Sequence, residues 1–83
     1  MVLTLYGTSD CTLCDRARAL AAPLAEAFGW QLEEVDVAED DALFARYGTR
    51  VPVLRRPDLD RELAWPFDAA ALQALVSAPR ATP

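Results

Sequence analysis

The chain has 83 residues, 53% of them hydrophobic, and a formal net charge of −5. It is long enough for one compact core and no more, too apolar to stay disordered, and too acidic for non-specific nucleic-acid binding. All eight basic residues are arginine and there is no histidine, so thiols, backbone groups and carboxylates must carry any chemistry, without the usual general base and commonest metal ligand.

Val2 to Tyr6 is an apolar run rich in strand formers and predicts a buried central strand. Gly7-Thr8-Ser9-Asp10 is a loop by composition, with Ser9 or Asp10 the expected cap of the helix that follows. In that helix Leu13, Ala17, Leu20, Leu24 and Phe28 recur at three- and four-residue spacing and predict the buried face. Pro23 interrupts the run and predicts a kink between Ala19 and Pro23, and Gly29 is the expected C′ residue. Trp30 to Val37 reads as a second strand, parallel to the first through a right-handed crossover. Ala38 to Asp41 is an acidic helix start, and the short helix from Asp41 ends at Gly48.

Pro52 stands at the entry to a third strand, Val53 to Arg55, one of the few places a sheet tolerates proline. Pro57 to Asp60 is a turn, and Arg61 to Trp65 returns antiparallel. Asp68 caps a last helix through Ala69, Leu72, Leu75 and Val76. Pro79 ends that helix and leaves residues 80–83 as a tail. The order β-α-β-α-β-β-α predicts one α/β domain over residues 1–79, a four-stranded mixed sheet with helices on both faces.

Cys11 and Cys14 fall where the first strand gives way to the first helix. Free amides and the positive end of the dipole at a helix start stabilise an anion, and thiolate is the reactive form of cysteine. Two intervening residues put Cys14 one turn on, on the same side as Cys11. Thiols so placed can interconvert with a disulfide. Three other readings stay open: two small buried core residues, half of a tetrahedral zinc site, or an Fe–S cluster shared by two chains.

With Leu5-Tyr6-Gly7 leading into Cys11-x-x-Cys14, Glu34-Val35-Asp36-Val37, and Tyr47-Gly48-Thr49-Arg50-Val51-Pro52-Val53-Leu54, the chain resembles a glutaredoxin-like member of the thioredoxin superfamily, most of all the short bacterial glutaredoxin-like proteins. The resemblance covers nearly the whole chain. It implies a three-layer α/β/α thioredoxin/glutaredoxin-like fold and a thiol–disulfide oxidoreductase with Cys11 as nucleophile and Cys14 as resolving thiol. Pro52 is then a cis-proline that packs beside the cysteines. Val51 offers its backbone to an extended substrate, and the backbone amides of Thr12 and Leu13 stabilise the Cys11 thiolate.

The expected substrates are protein or small-thiol disulfides, with no bound cofactor and no resident metal. Glutathione or a dithiol is the reductant. A non-catalytic adaptor on the same scaffold is the alternative. The chain departs from typical glutaredoxins at Asp10, where a basic residue is usual, and at Thr12-Leu13, where proline and an aromatic residue are usual. It departs again at Trp65-Pro66-Phe67-Asp68, which replaces a Gly-Gly-x-Asp segment that holds glutathione. Asp10 and Asp15 flank the thiols and are expected to raise their pKa values, and Arg46 and Arg50 are expected on the solvated surface. No apolar run approaches the roughly 18 residues of a membrane span, and the N-terminus lacks the basic stretch of a signal peptide. The expected protein is a cytoplasmic monomer with no membrane or nucleic-acid partner.

Overall fold

In the computed structural model, residues 1–79 are described; the predicted tail, residues 80–83, lies outside them. The elements are β1 (Val2–Gly7), α1 (Thr12–Ala27), β2 (Gln31–Asp36), α2 (Asp41–Tyr47), β3 (Val53–Arg56), β4 (Arg61–Ala64) and α3 (Ala69–Ser77), with single 3-10 turns at Val37–Glu39 and Pro57–Leu59. They form one four-stranded sheet in the order β2-β1-β3-β4. β1 runs parallel to β2, with Leu5 opposite Glu34 and Gly7 opposite Asp36. It runs antiparallel to β3, with Tyr6 opposite Val53, and β3 pairs antiparallel with β4. This is the predicted mixed sheet.

Alternation along β1 divides the core in two. Leu3 and Leu5 point to the face covered by α1 and α3, where they meet Ala17, Ala21, Ala25, Leu54, Leu72 and Leu75. Tyr6 points to the other face and packs with Val37, Tyr47 and Val53 beneath α2. The outer strand β2 carries exposed Gln31, Glu33 and Glu34, and charge on an edge discourages further strand pairing.

The predicted buried stripe of α1 is rotated. Its buried residues are Cys14, Ala17, Ala21 and Ala25, while Leu13 and Phe28 are 43% and 41% exposed. Leu20 and Leu24 pack against the flank of the core. The helix lies close to the sheet and to α3, so methyl groups fill the interface and the longer leucines cover its edges. α1 continues through Pro23, whose ring is on the exposed side. Gly29, at φ +76°, closes the helix: its amide donates to Glu26 and the Trp30 amide donates to Ala25. That pair of bonds is a Schellman motif. Asp68 caps α3 through the Ala71 amide at 2.8 Å, as expected.

Arg56 was not foreseen in the core, yet its side chain is 1% exposed. Its guanidinium donates to the carbonyls of Leu75 (2.7 Å), Ala78 (2.6 Å) and Pro79 (3.3 Å). It also makes a two-pronged contact with Asp58 at 2.8 and 3.1 Å and lies 4.6 Å from the centre of the Trp30 ring. The last carbonyls of a helix have no partner within the helix. Here one cation from the end of β3 supplies donors to them and ties α3 to the sheet. Arg56→Met removes the side-chain donors to those carbonyls. It is expected to cost about 1–3 kcal/mol, the range for leaving a buried hydrogen-bonding group unsatisfied. Urea unfolding should show a lower midpoint at unchanged slope, with Arg56→Lys recovering part of the loss.

Candidate active site

The loop after β1 delivers Cys11 to the start of α1, and Cys11 itself is the capping residue: the Cys14 amide donates to its sulfur at 3.1 Å. Neither Ser9 nor Asp10 caps this helix. The Asp10 backbone is left-handed at φ 55°, a region aspartate tolerates better than most residues, and this turns the chain into the helix. The sulfur succeeds as a cap because it sits where a capping oxygen would sit.

Both cysteines are free thiols. Cys11 is partly exposed, and Cys14 is buried at 3% exposure. A hydrogen bond from the Cys14 thiol, helped by the Cys14 and Leu13 amides and the Thr8 hydroxyl, lowers the Cys11 pKa below the ordinary thiol range. Burial raises the Cys14 pKa, the bond to Cys11 adds to the rise, and the nearby Asp15 carboxylate contributes a little more. The amides at the Cys11 sulfur are therefore those of Cys14 and Leu13, and that of Thr12 is not among them. The carboxylate that acts on the pair is Asp15, and it acts on Cys14.

Two residues that sequence reasoning did not assign to the site belong to it. Thr8 lines the cleft beside Cys14, and its hydroxyl helps lower the Cys11 pKa. A hydroxyl three residues before the motif was the available signal. Gly7 is the second: a Cβ there would lie 3.1 Å from the Cys14 sulfur, so the bare backbone at the end of β1 lets that sulfur pack closely against it.

Val51 and Pro52 lie at the same end of the sheet. Val53 pairs with Tyr6, so the register carried one step further sets Pro52 across from Gly7. Pro52 is buried and its peptide bond with Val51 is cis, as is Trp65–Pro66. The Val51 amide donates to the Tyr47 carbonyl at 3.0 Å, which leaves the carbonyl of Val51 as the group it can offer outward.

Arg46 and Arg50 lie on the solvated surface as expected, and from there they join a network. They approach Glu62 at 3.9 and 3.5 Å and lie 5.2 and 5.7 Å from the centre of the Tyr47 ring. That ring stacks on Tyr6 at 4.3 Å, and its hydroxyl, pushed up in pKa by burial, donates to Glu62. Trp65 and Phe67 meet edge to face at 5.2 Å within the α1–α3 core, as packing residues. Among the described residues no group of three or more cysteine, aspartate or glutamate side chains is placed to hold a metal, and no helix is long and apolar enough to cross a membrane.

The lowered pKa of Cys11 keeps a thiolate fraction at pH values where an ordinary thiol, titrating at about 8.5, is mostly protonated. Alkylation of the reduced protein by limiting iodoacetamide should therefore modify Cys11 well before Cys14. The pH midpoint of that reaction should fall below the value for free cysteine. Preferential modification of Cys14 would reverse the assignment.

Comparison with known proteins agrees with this geometry. Residues 2–77 match the family model described as glutaredoxin-like domain (DUF836). No curated protein matches the chain. Among solved structures, protein XcR50 from X. campestris is 50% identical, with 93% of this chain and 99% of that chain aligned at a TM-score of 0.77. Protein Ne2328 from Nitrosomonas europaea is 30% identical over 90% of this chain and 89% of that one, also at 0.77. Thioredoxin 1 from Thermosipho africanus, at 19% identity, 92% and 90% coverage and a TM-score of 0.72, shares the fold. A Glrx-like sequence match across nearly the whole length and a thioredoxin-type sheet with two thiols at the β1–α1 junction make this chain a glutaredoxin-like member of the thioredoxin superfamily.

Proposed function

We propose that the protein is a thiol–disulfide oxidoreductase acting as a monomer on protein or small-thiol disulfides in a reducing compartment such as the cytoplasm. The observation that carries this reading is the asymmetry of two thiols one turn apart. Cys11 is accessible and lowered in pKa, whereas Cys14 is buried and raised. Nucleophile and resolving thiol need those opposite properties.

The Cys11 thiolate attacks one sulfur of a substrate disulfide, forming a mixed disulfide and expelling the other substrate sulfur as thiolate, which takes a proton from water. Cys14 then loses its proton and attacks the Cys11 sulfur. The second substrate thiolate leaves, and the two electrons taken by the substrate come from the Cys11 and Cys14 thiols as they join in a disulfide. In this reading Thr12, the exposed Leu13 side chain, the Val51 carbonyl and Pro52 dock the substrate chain. An external thiol resets the pair.

In a disulfide-exchange assay, Cys14→Ser should still form the first mixed disulfide and then accumulate it, while Cys11→Ser should form none. Redox titration of the unaltered protein should show a single two-electron couple. Loss of mixed-disulfide formation in neither variant would overturn the reading.

Glutathione is expected to be a poor reductant. Its γ-glutamyl end needs close backbone approach before α3, where Trp65, Pro66 and buried Phe67 stand and Pro66 has no amide hydrogen. The Asp68 carboxylate is already occupied by the Ala71 amide. Reduction of the oxidised protein by dithiothreitol should outpace reduction by glutathione at equal thiolate concentration. Fast, saturable reduction by glutathione would refute this.

A further inference from the structure

A cleft of about 300 Å³ opens on the β2 side of α1, away from Val51 and Pro52. Leu5 and Gly7 form its floor, Arg18, Glu34 and Asp36 its polar wall, and the sulfur-bearing residue in its lining is Cys14; Cys11 is not part of it. We propose that this cleft admits a small cationic aminothiol, which reduces the Cys11–Cys14 disulfide by attacking the sulfur of Cys14. The inference rests on the oxidoreductase reading above and assigns the reductant and the point of its attack.

Size sets the first limit. One water occupies about 30 Å³ of liquid, so the cleft has room for a small molecule of about ten heavy atoms. Charge sets the second. Glu34 and Asp36 are two apart on one strand and share a face, the face toward α1. Arg18 is already matched, by Glu34 across the cleft and by Asp15 at 3.0 Å on its own helix. Asp36 takes neutral donors, the Ser9 hydroxyl at 3.4 Å and the Ala38 amide at 2.9 Å. It stands opposite Gly7, the residue against which the Cys14 sulfur packs. An ammonium group at Asp36 thus leaves a two-carbon thiol within reach of Cys14.

The chemistry favours the same sulfur. Attack on Cys11 expels Cys14 as a buried thiolate; attack on Cys14 expels Cys11, partly exposed and with the Cys14 amide at its sulfur. A thiolate of lower pKa leaves faster. For a large substrate the burial of Cys14 blocks that route, and the cleft opens it to a small one. The aminothiol thiolate attacks Cys14, the Cys11–Cys14 bond breaks, and Cys11 departs as thiolate. A second aminothiol thiolate attacks the aminothiol sulfur of the mixed disulfide and expels Cys14, which takes a proton from water. Two aminothiols leave as one disulfide, and their two electrons remain on the protein dithiol.

The test mixes the oxidised protein with cysteamine, mercaptoethanol or 2-mercaptoethanesulfonate, quenches with excess N-ethylmaleimide, and maps the adduct by fragmentation of the tryptic peptide that ends at Arg16. The expected result is a cysteamine adduct on Cys14. Rates per thiolate should be fastest for cysteamine and slowest for the sulfonate. Asp36→Asn, which keeps the amide contact, should lower the cysteamine rate about fivefold, as for loss of one partly exposed charge pair, and leave mercaptoethanol unchanged. A cysteamine adduct on Cys11, or an unchanged cysteamine rate in Asp36→Asn, overturns the inference while leaving the oxidoreductase reading intact. Failure of every thiol, dithiothreitol included, to reduce the protein overturns both.

Discussion

The amide of Cys14 donates to the sulfur of Cys11 at 3.1 Å, and this one bond closes the first turn of α1 while it holds the nucleophile in place. Folding and reactivity therefore draw on the same contact. A sulfur is a weak acceptor as a thiol and a better one as a thiolate, so the helix start and the charge on Cys11 stabilise each other. The linkage has a definite sign. The Cys11 pKa is lowered by folding, so its contribution to stability is present above the unfolded thiol's pKa and is lost as pH falls through the folded value. The Cys14 pKa is raised, so its contribution is present below the unfolded value and is lost as pH rises through the folded one. Because the two share a proton-bearing hydrogen bond, they titrate as a pair.

Most arginines of the described residues are committed to carboxylates. Arg18, Arg46, Arg50, Arg55 and Arg56 are each drawn to a carboxylate, most of them far from the thiols. Arg56 is spent inside the fold, on the end of α3 and the Trp30 ring. Arg46 and Arg50 converge on Glu62 beneath α2. Arg18 alone stands at the cleft beside Cys14, and it is flanked by Asp15 and Glu34.

Much of this was legible in the sequence because it follows from local rules. Apolar runs, the Asp68 cap, Gly29 at the helix end and the two cysteines at a strand–helix junction each carry their own signal, and together they fix the element order and the thiol pair. What was not legible depends on distance in the chain. The leucines of α1 outweigh its alanines in any hydrophobic pattern, but the closeness of α3 and the sheet decides which face is buried, and it selects Ala17, Ala21 and Ala25. Arg56 alternates with Arg55 in a short strand and reads as solvated. Only the unpaired carbonyls of a helix about twenty residues later give it a reason to be inside. A sulfur acting as a cap had no precedent in the usual ranking of capping residues, so Ser9 and Asp10 were the natural choices.

Gly7 is the point where the two layers of the protein meet the chemistry. Along β1, Leu3 and Leu5 face α1 and α3, and Tyr6 faces α2 and stacks on Tyr47. Gly7 has no side chain to commit to either face. On the α1 side the Cys14 sulfur takes up the space a Cβ would need. Across the sheet, the Tyr47 carbonyl accepts from the Val51 amide and so fixes the loop that ends in Pro52. The resolving thiol is held by one layer and the docking loop by the other, and both are referred to the same strand end. A side chain at this position would press on the Cys14 sulfur, which would have to give by a few tenths of an ångström, and Cys14 is the residue whose amide caps the helix at Cys11. The bare strand end at Gly7 and the sulfur cap at Cys11 therefore meet in one residue, Cys14.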